Sequence, residues 1–190
     1  MVRLNEDFDS EAIAIVGDRM SSRDAACRYW FVRYADNPLH VETPRLVVTS
    51  LQLLEQSCRL VLRPATDDDQ TDVERAFADR MQQIRTRVTE KLPEGATDRD
   101  GGELRVKLSR DAAGVLTDGD SGMPVDLEIL EESELRAYIQ LEGVAMNSRE
   151  NCYWMVWTLK RGLVYQRDVA NPLGKSYCFL DDGEYDSLSD

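Results

Sequence analysis

The stretch that decides the fold is ELRAYIQLEGVAMNSRENCYWMVWTLKRGLVYQR, residues 134–167. Its alternating apolar and polar residues predict two long antiparallel strands and a short third one. The segment holds two of the three tryptophans, and it is locally basic although the chain has a net charge of −13. A basic, aromatic hairpin is typical of a nucleic-acid-binding face. It is equally compatible with the wall of an ordinary β-barrel.

Alternation assigns the hairpin side chains to two faces. The core face is predicted to consist of Leu135, Ala137, Ile139, Leu141, Tyr153, Met155, Trp157 and Leu159. The opposite face carries Arg136, Tyr138, Trp154 and Lys160. An exposed tryptophan beside cations would stack on an unpaired base while the cations neutralise phosphates. The alternative is that the helix or the N-terminal segment covers Trp154.

Other cations extend this candidate nucleic-acid-binding face. They are Arg149 and Arg161 in the hairpin, and Arg105 and Lys107, which point outward from the alternating strand LRVKL at 104–108. A further aromatic and basic run, residues 28–34, is also predicted to be a strand. Whether its ring side chains line a groove or a dimer contact stays open.

One amphipathic helix is predicted over about 71–92. Its apolar stripe is Val73, Phe77, Met81, Ile84, Val88 and Leu92, at the spacing of a helix face packed on a sheet. Thr71 and Glu74 fit a capping box. Residues 94–102 are rich in Gly and Asp and are predicted to be a flexible linker. In the first twenty residues, a short helix over 11–20 is one possibility.

Composition excludes several classes of protein. With 42% hydrophobic and 31% charged residues, the chain should be globular, and no apolar run is long enough to span a membrane. The N-terminus lacks the pattern of a secretory signal, so we expect an intracellular, reducing compartment in which the four cysteines stay as thiols. His40 is the only histidine and no Cys-x-x-Cys pair occurs. We therefore expect no enzyme, no metal site and no cofactor.

The chain resembles a known family in the order of its pieces. These are NPLHVETPRL at 37–46, the amphipathic helix, ELRVKL at 103–108, and PVDLEILEESELRAYIQLEGVAM with YWMVWTLK between 124 and 160. Together they are similar to the OB-fold single-stranded DNA-binding proteins of large eukaryotic DNA viruses. More distantly they resemble the single-stranded DNA-binding protein of short-tailed phage replisomes. The matching positions are Pro38, Thr43, Pro44, Gly143, Trp157, Thr158 and Lys160.

The resemblance implies a fold and a division of the chain. The fold is β-rich, α+β by content: an OB-fold-like antiparallel β-barrel with one inserted helix and a flexible acidic C-terminal tail. Residues 1–24 would be an N-terminal extension, 25–179 a single OB-like domain and 180–190 the tail. The acidic residues of the tail are Asp181, Asp182, Glu184, Asp186 and Asp190.

The implied function is largely sequence-independent binding of single-stranded DNA in viral replication, repair or recombination. The location would then be the host nucleus or a cytoplasmic viral replication site. The tail would compete with DNA for a basic groove, contact replication proteins, or both, and a homodimer is left open. The alternative is an acidic protein-interaction module, such as a histone-binding chaperone or a virion or assembly factor. The net charge of −13 favours that alternative.

Overall fold

The computed structural model describes residues 8–20, 26–54, 57–64, 71–109 and 114–166. The predicted acidic tail, 180–190, and Cys178 lie outside these residues. Within them the chain is β-rich, with nine strands and one α-helix. The strands are β1 (Ile13–Met20), β2 (Cys27–Tyr34), β3 (Asn37–Leu53), β4 (Ser57–Arg63), β5 (Thr97–Asp98), β6 (Leu104–Ser109), β7 (Leu116–Asp118), β8 (Glu134–Asn147) and β9 (Cys152–Tyr165). The helix is α1 (Asp72–Thr89), and short 3₁₀ turns occur at Ser10–Ala12 and Leu127–Ile129.

Five strands form a closed ring in the order β3–β4–β6–β9–β8 and back to β3. All pairings in the ring are antiparallel except β6 with β9, which is parallel. The predicted hairpin, β8 and β9, contains the most extensive pairing in this ring, because β8 pairs with β9 along its full length. On its other edge β8 pairs first with β3 and then with β2.

The interior of the ring is the core that alternation predicts. Leu135, Ile139 and Leu141 are fully buried, and Trp157 is 2% exposed. Two register shifts interrupt the β8–β9 pairing, one of them leaving Lys160 as an extra residue opposite Tyr138 and Ile139. Such bulges twist a strand and re-aim its side chains. Lys160 and Arg161 are therefore both exposed.

The helix forms as predicted. Thr71 and Glu74 make the capping box, and Phe77, Met81, Ile84 and Val88 are buried in the same core as the ring. The helix ends three residues before the predicted end at 92, and Val73, at its first turn, is 62% exposed. Within the described residues, no helix combines the length and apolar character needed to cross a membrane.

Two local predictions are wrong. Residues 13–20, where a short helix was one possibility, form β1, which pairs antiparallel with β2. Residues 97–98, inside the predicted linker 94–102, form β5, which pairs in parallel with Cys152 and Tyr153 of β9. Long-range pairing overrides local composition in both cases. The second pairing fixes the loop that follows β5 beside the hairpin.

The proline-containing part of β3 is extended, as predicted, and it has a specific partner. Thr43 is 2% exposed, and its hydroxyl accepts a hydrogen bond from the Ala137 amide at 2.9 Å. The β3–β8 register shifts at this point, between Glu42 and Arg45. Since proline has no amide hydrogen to donate to a neighbouring strand, the bulge lets the chain carry Pro44 while the Thr43 hydroxyl satisfies the opposite amide.

Candidate nucleic-acid interface

Trp154 lies on the outer side of β9, as alternation predicts, and it is partly buried. Among the described residues, the group seen over its ring is Arg99. The guanidinium of Arg99 lies over the indole, with the Arg99 Cζ 3.8 Å from the ring centroid. A hydrogen bond from the Arg99 amide to the Tyr153 carbonyl, 2.8 Å long, extends the β5–β9 pairing and fixes this loop. The geometry is that of a cation–π contact.

Three more cations line the same cavity as the indole. Arg59 projects from β4, and Arg105 and Lys107 project from β6, between the buried residues of those strands. Register brings them together, because Arg59 pairs with Lys107 and Lys107 with Thr158 of β9. We call this group, Arg59, Arg99, Arg105, Lys107 and Trp154, the Trp154 surface. It lines a small cavity of about 70 Å³.

Asp100 is the carboxylate at the base of the Trp154 surface, and it is 7% exposed. Its Oδ1 lies 3.5 Å from the Arg105 Nη1 and 3.9 Å from the Arg99 Nε. Burial raises the pKa of Asp100, although Arg105 and Arg99 act in the opposite direction. The buried carboxylate thus lies between two of the four cations, closer to Arg105 than to Arg99.

Arg105 is further oriented by Glu103, with 3.0 Å between the Arg105 Nη2 and the Glu103 Oε2. Arg63 also binds Glu103, and hydrogen bonds from these two arginines hold the pKa of Glu103 below its usual value. In contrast, Arg59 and Lys107 form no ion pair within the part of the chain that the structure describes. Arg59 acts on the pKa of Asp100 through its charge alone, in the same direction as Arg105 and Arg99.

A second basic and aromatic group lies on the outer side of β3, β8 and β9. It consists of Glu42, Arg136, Tyr138 and Arg161, which line a cavity of about 460 Å³. We call it the Arg136 surface. The Arg136 Nη2 is 2.5 Å from the Glu42 Oε1, and nearby Lys160 is 3.5 Å from the Glu142 carboxylate. Tyr138 contacts His40, with ring centroids 5.1 Å apart.

The predicted interface residues therefore divide between two surfaces. Arg105, Lys107 and Trp154 lie together on the Trp154 surface. Arg136, Tyr138 and Arg161 lie on the Arg136 surface, with Lys160 at the adjacent bulge. Arg161 follows Trp154 by seven residues along β9, which is about 20 Å in a strand. Arg149 is exposed in the turn between β8 and β9.

Two residues of the Trp154 surface, Arg59 and Arg99, were not predicted. Arg59 had a usable signal, because it alternates with the apolar residues Cys58, Leu60 and Leu62. No pattern in the sequence marked Arg99, since it lies in a Gly- and Asp-rich segment whose own residues do not indicate that it pairs with β9.

The aromatic run of β2 packs mainly on its own sheet. Tyr29 crosses over Gly143 of β8 and makes an edge-to-face contact with Phe31, at 5.2 Å between centroids. Burial, helped by the charge of Glu142, raises the pKa of Tyr29 to about 12. Tyr34 stacks on Phe8 at 5.4 Å. Phe31 remains 40% exposed, and the other three rings of this run are partly buried.

In the part of the chain that the structure describes, no group of three or more His, Cys, Asp or Glu side chains is arranged to hold a metal ion. Cys58 and Cys152 are both buried. None of the protein-family models, curated proteins and solved structures compared with the chain matches it.

Proposed function

We propose that this protein is a non-catalytic, largely sequence-independent single-stranded DNA-binding protein with an OB-fold, acting in DNA replication, repair or recombination. The observation that carries the proposal is the Trp154 surface. Four cations surround one indole there, and Asp100, the carboxylate that lines the same cavity, is buried. Base stacking on the indole and phosphate neutralisation by the cations would need no sequence readout.

The order of the ring supports the OB-fold part of the proposal. If the five ring strands are numbered along the chain from 1 to 5, they are neighbours around the ring in the order 1–2–3–5–4 and back to 1. This is a Greek-key closure of five strands as in OB-folds. Oligonucleotides bind OB-folds on the second and third strands and on the loops after the first and fourth. Here those strands are β4 and β6, which carry Arg59, Arg105 and Lys107. The loop after the fourth strand carries Arg149.

The net charge of −13 does not oppose this proposal. At physiological ionic strength the Debye length is about 8 Å, so charges on the far side of the molecule are screened from a strand on the Trp154 surface. The local excess of cations decides the field that the DNA meets.

The test is a titration of the protein with a fluorescently labelled oligo-dT at several salt concentrations. We expect quenching of tryptophan fluorescence, and an affinity that falls linearly on a log–log plot, with a slope of about −0.7 per phosphate contacted. Duplex DNA of equal length is the control and should bind more weakly. If oligo-dT gave neither a quench nor an anisotropy change at low salt while the protein bound histones, the acidic protein-interaction module would be the better proposal.

The acidic tail belongs to the same proposal. Its five carboxylates would compete with DNA for the Trp154 surface, so deletion of residues 181–190 should tighten binding to oligo-dT, most strongly at low salt. Replacing the same five residues by their amides separates charge from length. Unchanged affinity in both variants would remove the competition while leaving the binding proposal intact.

A further inference from the structure

Arg99 occupies the position over Trp154 that a base would need. Its guanidinium is a flat cation lying 3.8 Å from the indole centroid. Guanidinium planes and nucleobases stack on aromatic rings in the same face-to-face manner. The two groups would therefore exclude each other from this face of the indole. The space left is small, about 70 Å³ against about 460 Å³ beside Arg136.

The Arg99 side chain is held weakly enough to move. Its backbone is fixed by the hydrogen bond to Tyr153, but the side chain is 38% exposed. Its ion pair with Asp100 is long, 3.9 Å, whereas Arg105 lies closer to the same oxygen, at 3.5 Å. A buried carboxylate that lost its only partner would be strongly destabilising. Because Arg105 stays, Asp100 keeps a partner when Arg99 leaves.

We propose that Arg99 is a removable cover on the base-stacking face of Trp154. When a single strand binds, a base takes the place of the guanidinium on the indole, and Arg99 turns outward to the neighbouring phosphate. Asp100 and Arg105 remain paired and keep the base of the site in shape. This inference rests on the proposed function, and it adds which group the DNA must displace.

The test compares Arg99→Ala with Arg59→Ala, which removes one cation from the same surface without uncovering the indole. The two variants should share one salt slope, because each loses one phosphate-neutralising charge. At every salt concentration, Arg99→Ala should bind oligo-dT more tightly than Arg59→Ala, by about two- to fivefold, the range that an exposed cation–π contact corresponds to. Equal binding, or weaker binding by Arg99→Ala, would overturn the cover and leave Arg99 as an ordinary phosphate contact.

A second measurement needs no DNA. Acrylamide quenching of tryptophan fluorescence should increase in Arg99→Ala relative to wild type, and the increase should vanish when Trp154→Phe is added to both proteins. Arg99→Lys keeps the charge without the flat stacking group and should show a smaller increase. If acrylamide quenching did not change although oligo-dT still bound, the cover would fail and the proposed function would stand. If wild type bound no oligonucleotide, the proposed function would fail and with it the exchange of Arg99 for a base.

Discussion

The Trp154 surface and the Arg136 surface have similar composition but differ in how exposed the carboxylates beside their cations are. On the Arg136 surface, the exposed carboxylate of Glu42 pairs with Arg136, and at the adjacent bulge Glu142 pairs with Lys160. On the Trp154 surface, the carboxylate that lines the cavity is Asp100, and it is buried. Cross-strand neighbours, more than the cations along one strand, therefore decide which face is attractive to a polyanion.

Cavity size gives the opposite ranking, since the cavity beside Arg136 is the larger one. Charge is the better guide to a single-strand site than cavity size, because binding of single strands depends on an open, positively charged groove with stacking rings rather than on an enclosed pocket. The difference between the surfaces can be tested by matched changes on each.

Charge reversal should separate the two surfaces most strongly. Arg59→Glu with Lys107→Glu removes two unpaired cations from the Trp154 surface and adds two anions. We expect affinity for oligo-dT to fall on the order of 100-fold at low salt, with a shallower salt slope. The matched variant, Arg136→Glu with Arg161→Glu, has the same net charge and should lose only a few-fold. Fluorescence anisotropy measures both, and equal losses would show that net charge, not position, governs binding.

Removal of the ring is the next largest effect. Trp154→Ala should weaken oligo-dT binding by about 5- to 150-fold, corresponding to the roughly 1–3 kcal/mol of one base stack. Tyr138→Ala should change it by less than about twofold, because that ring contacts His40 and the adjacent Arg136 is paired with Glu42. Trp154→Phe should bind nearly normally but lose most of the fluorescence quench, since Trp157 is in the core. A larger loss of oligo-dT affinity in Tyr138→Ala than in Trp154→Ala would show that bases stack on the Arg136 surface and not on the Trp154 surface.

The fold could be predicted further from the sequence than the site could. Alternation within residues 134–159 correctly identified eight buried residues, because burial in a strand follows a local period of two. It missed residues 143–146, which are buried at successive positions. The same period correctly put Trp154 and Arg136 on the outside of the ring. It could not show that bulges and ring closure place them on different surfaces. Those features depend on pairing between strands distant in sequence.

Arg99 shows the limit most clearly. Residues 94–102 have the composition of a linker, and only the pairing of β5 with β9 brings Arg99 over the indole. The acidic partners of the Arg136 surface were equally invisible, because Glu42 is 94 residues from Arg136 in the chain. Counting charges within the hairpin therefore could not show which of its cations have carboxylate partners on other strands, nor that Arg59 and Arg99 lie on the same surface as Trp154.

Substitution of the two glycines of the hairpin tests the packing beneath each surface. A methyl group at Gly143, near the Trp154 surface, would overlap the backbone oxygen of Trp30, which can move only with its strand. At Gly162, near the Arg136 surface, it would meet the flexible ends of Leu135 and Leu116 at 2.7 and 2.8 Å. We expect Gly143→Ala to lose about 1–3 kcal/mol of unfolding free energy, and Gly162→Ala less. Urea unfolding followed by far-UV circular dichroism measures both, and the reverse order would contradict the packing described around Gly143.

The smallest predicted effect would make the two surfaces more alike. Glu42→Gln removes the carboxylate that pairs with Arg136 and leaves that cation available to DNA. Because both partners are about half exposed, the pair itself is worth little to stability, and affinity for oligo-dT should rise by only about two- to threefold at low salt. Asp79→Asn, an exposed change on α1, is the control for net charge. If both variants gained equally, the gain would come from overall charge, and the pairing of Arg136 would not be what keeps DNA from its surface.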